Sequence, residues 1–380
     1  MKYLKVTYKF VSLLFFGLCI GLVTGCTDEQ AVEDAGSGAM SEIHFQTSAF
    51  TRAEGTNLES GAQVHVYPYH QKTGVTAPII TGGKAYTVDG ADLAPAGEEA
   101  TAMLLPSGTF GFYAVSTNSS SEAVPTFDTT AENGIPFKNE NNTNTGNGNK
   151  GITTGLKNGV DYLFASATQQ IQYGNGQNIA LKFKHVTTQV QLTIVFSETA
   201  CAVSNDAAKN FANATVCIQQ TSTEKAYMRL YDGQIRFENM TGTTPVACGT
   251  AAASLSTSSM LSMAVDKETA TAPTTAVPVN QIAICNMMPL KESSGQKMWI
   301  RVVIEGLKVG NENATTHTYT GELEAANGWK AGESNRYTLT LSGSEVTFSG
   351  ATVQPWITAS SGGEVGNLTD DWQQTKETPL

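Results

Sequence analysis

The chain has 380 residues, of which 40% are hydrophobic and 15% charged, and its formal net charge at pH 7 is −11. The first 25 residues contain three lysines and no acids, so the rest of the chain carries 20 basic and 34 acidic residues, a net charge of −14. This acidic balance argues against nucleic acid as a partner, because nucleic acids select basic surfaces. A chain of this length exceeds one compact core, so two domains are expected.

The chain begins with an export signal. Three lysines precede an apolar run over residues 10–23, which is shorter than the roughly 20 residues that a membrane-spanning helix needs. Small residues then lead to Cys26, an arrangement that resembles the bacterial lipoprotein box, whose cysteine is acylated and becomes the first mature residue. We therefore predict a signal peptide at residues 1–25 and an anchor of acyl chains, such as palmitate, that fixes Cys26 to the outer membrane. A transmembrane anchor is the alternative.

Residues 26–40 are predicted to be a flexible acidic tether. They include Asp28, Glu29, Glu33 and Asp34 and too little apolar content to pack into a core. Acidic residues directly behind a lipidated cysteine resemble the signal with which Bacteroidetes place lipoproteins on the outer face of the outer membrane. A plain solvated linker is the other interpretation, and both can hold at once.

From residue 41 onward the apolar residues recur with a period of two, which indicates β-strands. Short alternating segments are separated by Gly, Asn, Ser and Pro, as in β-sandwiches, and the only helical candidate is a weak one at residues 207–212. The sequence therefore predicts an all-β fold. The alternating residues are Ile43 and Phe45; Val64 and Val66; Phe110, Phe112 and Ala114; Leu181, Phe183 and His185; Val190, Leu192, Ile194 and Phe196; Tyr227, Arg229 and Tyr231; Met298, Ile300, Val302 and Ile304; Leu339 and Leu341; and Val346 and Phe348.

Four cysteines lie in the second half of the chain, at Cys201, Cys217, Cys248 and Cys285. An even number in an exported chain permits two disulfides, with three possible pairings. Cys217 and Cys285 lie in strand-like apolar segments, where a free cysteine often serves as a small buried hydrophobe. Disulfides and free thiols therefore both stay open. Because no C-x-x-C spacing is present, zinc is not expected.

No recognisable catalytic motif is present. Residues 146–151 match G-x-G-x-x-G, but they neither follow a predicted strand nor open a helix, as a dinucleotide site requires. His65 and His70 would face opposite sides of one strand, which argues against a shared metal site. His185 lies within an apolar strand pattern and is expected to be buried and hydrogen-bonded rather than a general base. We predict no enzyme, no metal site and no cofactor.

Three segments, taken together and in order, resemble the fimbrillin family, the lipoprotein-derived pilins that form the type V pili of Bacteroidetes. The resemblance implies two transthyretin-like β-sandwich domains in tandem. Here these would be residues 41–186 and 187–359, followed by a polar tail at 360–380. The three segments are Ile43-His44-Phe45 followed by Thr51-Arg52-Ala53; Asp161 to Ala165 leading to Leu181 to Val186; and Trp329 to Leu339 followed by Val346 to Trp356 and by Gly362 to Val365.

The same resemblance implies a structural pilus subunit that supports adhesion at the cell surface. A trypsin-like, Arg-specific protease would cut between Arg52 and Ala53 and remove the first strand with Ile43 and Phe45. A strand from another pilin subunit would fill the open groove. If about five apolar side chains entered, they would contribute on the order of 10 kcal/mol. The C-terminal residues that would supply or flank this donor strand are Val346, Phe348, Val353, Trp356 and Ile357.

The alternative function is a monomeric surface lipoprotein that binds glycans for nutrient capture. Its basis is a set of four tryptophans that could form a platform on which sugar rings stack. Tryptophans in strands more often belong to the core. The four are Trp299, Trp329, Trp356 and Trp372.

Overall fold

The computed structural model describes residues 40–47, 58–97, 100–138, 150–174, 176–196, 201–202, 214–237, 244, 260–267, 280–309, 313, 315–342 and 345–355. All regular structure in these ranges consists of β-strands, which confirms the all-β prediction. None of the described ranges contains a helix that could span a membrane. The weak helical candidate at residues 207–212 lies outside them.

The strands range from 2 to 13 residues in length. Those of the first half are β1 Ser41–Thr47, β2 Gln63–His70, β3 Lys84–Asp89, β4 Asp92–Pro95, β5 Met103–Leu105, β6 Gly108–Ser116, β7 Ala131–Glu132, β8 Ile135–Pro136, β9 Ile152–Thr153, β10 Leu163–Ile171, β11 Gln177–Leu181 and β12 Lys184–His185. Those of the second half are β13 Thr188–Phe196, β14 Cys201–Ala202, β15 Thr215–Gln219, β16 Ala226–Arg229, β17 Ile235–Phe237, β18 Met260–Ser262, β19 Ala264–Lys267, β20 Gln281–Met287, β21 Lys297–Val309, β22 Thr315–Glu324, β23 Glu333–Ser342 and β24 Glu345–Pro355.

The first half builds one nine-stranded sheet, which we call the N-terminal sheet. Its strand order is β11-β1-β4-β3-β2-β6-β10-β12, and β5 also pairs with β1. Alternate side chains from these strands meet in one core because successive residues of a strand point to opposite faces. The largest members of that core are Ile43, Phe45, Tyr86, Met103, Leu105, Phe110, Phe112, Leu163 and Phe183.

The second half builds two five-stranded sheets that share a second core, and we call them the C-terminal sheets. One has the order β19-β20-β13-β23-β24, and the other has the order β14-β21-β15-β18 with β22 paired to β21. Strands β13 and β23 run parallel, whereas β13 and β20 run antiparallel. The core includes Val190, Leu192, Ile194, Ile218, Met298, Ile300, Val302, Ile304, Trp329, Tyr337, Leu339 and Leu341.

A third buried cluster joins the two halves. Strand β16 pairs with β9 of the first half and with β17, so a small sheet contains strands from both sides of residue 187. Its apolar residues pack against aromatic residues that β2, β6 and β10 turn away from the first core. The two halves are therefore held together by apolar packing as well as by the chain. The cluster includes Tyr67, Tyr69, Tyr113, Val115, Phe127, Phe164, Met228, Leu230, Phe237 and Met288.

The connection between β12 and β13 is short and anchored on both sides. The backbone N–H of Val186 donates to the carbonyl of Tyr162 at 2.9 Å, and that of Gly332 donates to the carbonyl of Thr187 at 2.8 Å. Nearby, the buried Asn158 side chain donates to the carbonyl of Thr221 at 2.7 Å and accepts from the N–H of Met288 at 2.8 Å. These bonds restrict movement between the halves because each satisfies a polar group that is shielded from water.

Two strand predictions need correction at their ends. The segment with Leu181, Phe183 and His185 is not one strand, because β11 ends at Leu181 and β12 begins only at Lys184. Tyr231 lies in the turn after β16 rather than in a strand. Phe183 and His185 stay buried across the break between β11 and β12. Tyr231 is only partly buried, and the residues of that region that pack in the core are Met228 and Leu230, at the alternate positions.

Candidate functional site

Strand β1 is the element of greatest functional interest, because its side chains alternate strictly between buried and exposed. Ser41, Ile43, Phe45 and Thr47 face inward, and the two apolar ones are each 1% exposed. The residues between them are exposed. This is the burial expected of a strand with one face on a core, and it confirms the alternation predicted for Ile43 and Phe45.

Phe45 is held by two aromatic rings. Its ring lies 5.3 Å from that of Tyr86 and 5.4 Å from that of Phe112, both in edge-to-face geometry. Such pairs contribute about 0.5–1.5 kcal/mol each beyond the burial of area. Burial also raises the pKa of the Tyr86 hydroxyl.

Backbone pairing fixes β1 on both of its edges. On one side it runs parallel to β11, with Ile43 opposite Gln177 and Phe45 opposite Ile179. On the other side it runs antiparallel to β5 near its start and to β4 near its end, with Ile43 opposite Met103. Strand β1 is therefore a central strand of the sheet.

The two ends of β1 are pinned by further hydrogen bonds. The Ser41 hydroxyl donates to the carbonyl of Gln172 at 2.8 Å, at the turn that follows β10. The backbone N–H of Thr47 donates to the carbonyl of Ala91 at 2.7 Å. Without β1, the backbone groups of β11, β4 and β5 that pair with it would have no hydrogen-bonding partner. The rings of Tyr86 and Phe112, which line the groove around Phe45, would be exposed to water. An open groove of this kind is a template for another strand.

Strand β1 places two large apolar side chains in the groove, Ile43 and Phe45. Each contributes roughly 1.5–3 kcal/mol on burial, so the gain from apolar burial by β1 is roughly 3–6 kcal/mol. The backbone hydrogen bonds of β1 to β11, β4 and β5 add to this gain.

Strand β24 lies at the end of its sheet. It pairs with β23 alone, with Val346 opposite Leu341, Phe348 opposite Leu339 and Val353 opposite Asn335. Three of the five predicted donor residues are thus on one edge strand. The other two, Trp356 and Ile357, lie outside the described residues.

The processing and anchoring residues are not among those the structure describes. Cys26, Arg52 and Ala53 all fall outside the described ranges, so their roles stay predictions. Sequence reasoning did not identify Tyr86 or Met103 as groove residues. The alternation within one strand does not show which other strands lie beside it in the sheet.

For two of the four cysteines, the structure shows whether they are free or in a disulfide. Cys217 and Cys285 are free thiols, the second of them buried, and burial raises the pKa of the Cys285 thiol far above its usual range. Cys285 packs in the C-terminal core as a small hydrophobe does. Cys201 begins β14, and Cys248 lies outside the described residues.

His185, weighed above as a general base, is hydrogen-bonded within the fold. His185 is buried, and its Nδ1 lies 2.7 Å from Asp161 Oδ1, while the Asn118 amide donates to Asp161 Oδ2 at 3.1 Å. This agrees with the expectation of a buried, hydrogen-bonded histidine. Within the described ranges, no group of three or more His, Cys, Asp or Glu residues could hold a metal ion.

One of the four tryptophans that could form a sugar-stacking platform in the alternative function is buried in the core. Trp329 is 1% exposed, and its indole N–H donates to the Tyr337 hydroxyl at 2.9 Å. A ring buried in this way cannot stack on a sugar. Trp299 is half-buried, and Trp356 and Trp372 lie outside the described residues.

Comparison with known proteins identifies the family. The family model described as fimbrillin-like matches residues 51–356. No curated protein matches this chain. Among solved structures, the fold is similar to candidate cell adhesion proteins from Bacteroides ovatus ATCC 8483 (TM-score 0.48, 16% identity, covering 86% of this chain and 100% of that one) and Bacteroides uniformis ATCC 8492 (0.43, 16%, 84% and 97%).

A further similar structure is the fimbrial anchor protein Mfa2 from Porphyromonas gingivalis (TM-score 0.33, 9% identity, covering 83% of this chain and 98% of that one). Identities and scores this low carry no argument about function, so the family rests on the sequence match, which extends over most of the chain. The chain belongs to the fimbrillin-like family and is a structural protein rather than an enzyme.

Proposed function

We propose that this protein is a pilus subunit that reaches the cell surface as a lipoprotein, is cut after Arg52, and joins a neighbouring subunit by strand exchange in support of adhesion. The observation that carries the proposal is the position of β1. It is a central strand that fills an aromatic groove, yet it is the first strand of the described residues and is followed closely by Arg52 in the sequence. One cut would leave it attached by non-covalent contacts alone.

The edge strand β24 supports the same proposal from the donor side. In its own sheet β24 forms one backbone ladder, with β23. In the place of β1 it would form ladders on both sides, with β11 and with β4 and β5. Each net backbone hydrogen bond contributes about 0.5–1.5 kcal/mol, so transfer from an edge to a central position favours the exchanged state. This gain is opposed by a cost, because β23 would lose the backbone hydrogen bonds that it forms with β24.

The tether supports a location close to the outer membrane before the cut. Met40, the last residue before β1, follows Cys26 by 14 residues. A flexible chain of that length has an end-to-end distance of roughly 20 Å. A lipid on Cys26 would therefore hold the N-terminal sheet next to the bilayer, where a surface protease with specificity for arginine can reach Arg52. The partners are this protease and other pilin subunits.

Protein sheared from the cell surface tests the proposal. Sequencing its N-terminus should give Ala53, and the processed subunit should carry a net charge of −10, since residues 26–52 contain five acids and one arginine. Sheared protein that begins at Cys26 would contradict processing.

A second experiment tests the anchor. Cys26→Ser should abolish labelling by radioactive fatty acid and release the protein from the outer-membrane fraction. If the variant is still labelled and still fractionates with the membrane, Cys26 is not the lipid site. The wild-type chain is the matched control.

A further inference from the structure

An open cleft lies on the outer face of the N-terminal sheet, where the turn after β16 packs against the start of β10. Its volume is about 390 Å³, which is at the small end of the range for ligand pockets. Strands β1 and β24 take no part in it. The polar side chains that line the cleft belong to Tyr113, Ser166, Thr168, Lys184, Tyr231 and Asp232.

The floor of the cleft comes from two neighbouring strands. In the pairing of β6 with β10, Ser166 lies opposite Tyr113 and Thr168 lies opposite Gly111. Residues opposite each other share a face of the sheet, so both hydroxyls stand beside the Tyr113 ring. The ring lies over Gly111, since a Cβ there would be 3.0 Å from one of its carbons. Ser166 and Thr168 are exposed, and their hydroxyls can therefore bond to a ligand.

The wall of the cleft is the turn after β16, and hydrogen bonds hold this turn in place. Arg229 Nε donates to Asp232 Oδ1 at 3.1 Å, and the N–H of Gln234 donates to the same oxygen at 3.0 Å. Arg229 also donates to Asp232 Oδ2, and Gly233 packs directly on the Phe164 ring. A carboxylate has about four acceptor positions, so Asp232 can accept a further bond from a ligand.

Tyr231 brings an aromatic ring to the same wall. The Lys138 Nζ lies 5.0 Å from the centroid of this ring, and Lys138 does not line the cleft, so the ring turns another side to it. Burial, and after it the nearby Tyr231, raises the pKa of Tyr113 to about 12. The Tyr113 hydroxyl is therefore protonated at neutral pH and can donate as well as accept.

The charges around the cleft favour a neutral ligand. Among the described residues that line it are one cation, Lys184, and one carboxylate, Asp232. The Lys184 Nζ lies 5.8 Å from the centroid of the Phe164 ring, inside the cleft. An acidic ligand would be repelled by Asp232 and a cationic one by Lys184. A sugar ring fits this set of groups, because it has an apolar C–H face for an aromatic ring and hydroxyls for the polar side chains.

We infer that this cleft binds a neutral hexose unit of a glycan, with the Tyr231 ring against one face of the sugar and Asp232, Ser166 and Thr168 hydrogen-bonded to its hydroxyls. The inference goes beyond strand exchange and does not depend on it, since an uncut monomer carries the complete cleft. It also needs none of the four tryptophans.

Glycan binding by the mature protein, extracted from cells with detergent, tests the inference. A printed array of neutral hexose oligosaccharides, and of oligosaccharides that contain uronic or sialic acid, is probed first. The neutral oligosaccharide with the strongest signal is then titrated calorimetrically against Tyr231→Ala. The matched control is Tyr173→Ala, which removes a ring that is 57% exposed and lies outside the cleft. Thermal unfolding shows whether each variant is folded.

We expect the wild type to bind a neutral oligosaccharide, Tyr231→Ala to lower the affinity at least tenfold, and Tyr173→Ala to stay within twofold of the wild type. If Tyr231→Ala does not fold, a double variant with Ser166→Ala and Thr168→Val decides, with an expected loss of at least fivefold. Its control is Gln170→Ala, an exposed position on the same face of β10 that does not line the cleft.

Three results would overturn the inference: no binding to any neutral oligosaccharide, binding to acidic oligosaccharides alone, or equal losses in a test variant and its control. None of them bears on strand exchange, which is read from ladders in unboiled surface extracts. Conversely, missing ladders with glycan binding intact would refute strand exchange and leave the cleft as a sugar site.

Discussion

At the scale of single residues, Phe45 is the strongest attachment of β1 to its groove. Its ring is 1% exposed and contacts the rings of Tyr86 and Phe112. We expect Phe45→Ala to lower the free energy of unfolding of the uncut protein by about 3–5 kcal/mol, the usual cost of removing a buried phenylalanine ring. Denaturant unfolding measures this.

The matched control is His44→Ala on the same strand, whose side chain is exposed. A surface change of this kind should fall within about 0.5 kcal/mol of the wild type. Equal losses for the two variants would mean that Phe45 does not hold β1 in place.

The sequence predicted which residues of β1 are buried but not what they contact. Alternation alone placed Ile43 and Phe45 on one face, since a strand has a period of two. It gave no means to find Tyr86 or Met103, because both come from strands whose proximity to β1 depends on the whole sheet order. The free state of Cys217 was equally open, since spacing does not determine which cysteines approach one another.

At the scale of elements, a charged residue in β24 tests its proposed role as the donor strand. We expect Phe348→Asp to reduce the ladders in unboiled surface extracts at least tenfold, because a carboxylate in the groove would be buried without a partner. Thr347→Asp is the control, since a neighbouring strand residue points to the other face. N-terminal sequencing should show that both variants are still cut after Arg52.

Thermal unfolding of the Phe348→Asp and Thr347→Asp monomers shows whether a loss of ladders comes from failed assembly or from failed folding. If Phe348→Asp and Thr347→Asp assemble equally well, β24 is not the donor strand. If Phe348→Asp fails to fold while Thr347→Asp folds, β24 is needed in its own sheet and cannot leave it.

The strands themselves could be predicted to a large extent, and their pairing could not. The long run from Val190 to Phe196 is one strand, as its period indicated. That this strand lies beside the distant β23, in parallel, follows from long-range packing that no local pattern records. The parallel pairing of β1 with β11 is of the same kind.

At the scale of the whole molecule, the cluster shared by the two halves was not foreseen. The sequence predicts two separate domains, at residues 41–186 and 187–359, and these boundaries stay a prediction. The cluster brings β16 and its turn against the outer face of the N-terminal sheet. Because the two halves share this apolar cluster, we expect the joint between them to resist bending.

A glycine in that turn tests the contact. Gly233 has a φ of +70°, and a Cβ there would clash with the Phe164 ring, whereas Gly82 has a similar φ of +82° and open space around it. We expect Gly82→Ala to cost about 1–2 kcal/mol, the backbone penalty alone, and Gly233→Ala to cost clearly more. Equal losses in denaturant unfolding would show that the turn does not press against Phe164.

The central claim is that the groove opens only when the chain is cut after Arg52. The measurement is the mobility of unboiled surface extracts of the Arg52→Ala variant, with the N-terminus of the same material determined by mass spectrometry. We predict an uncut, lipidated monomer and no ladders, because β1 still fills its own groove with Ile43 and Phe45. High-mass ladders built from chains with an uncut N-terminus would contradict the strand-exchange account.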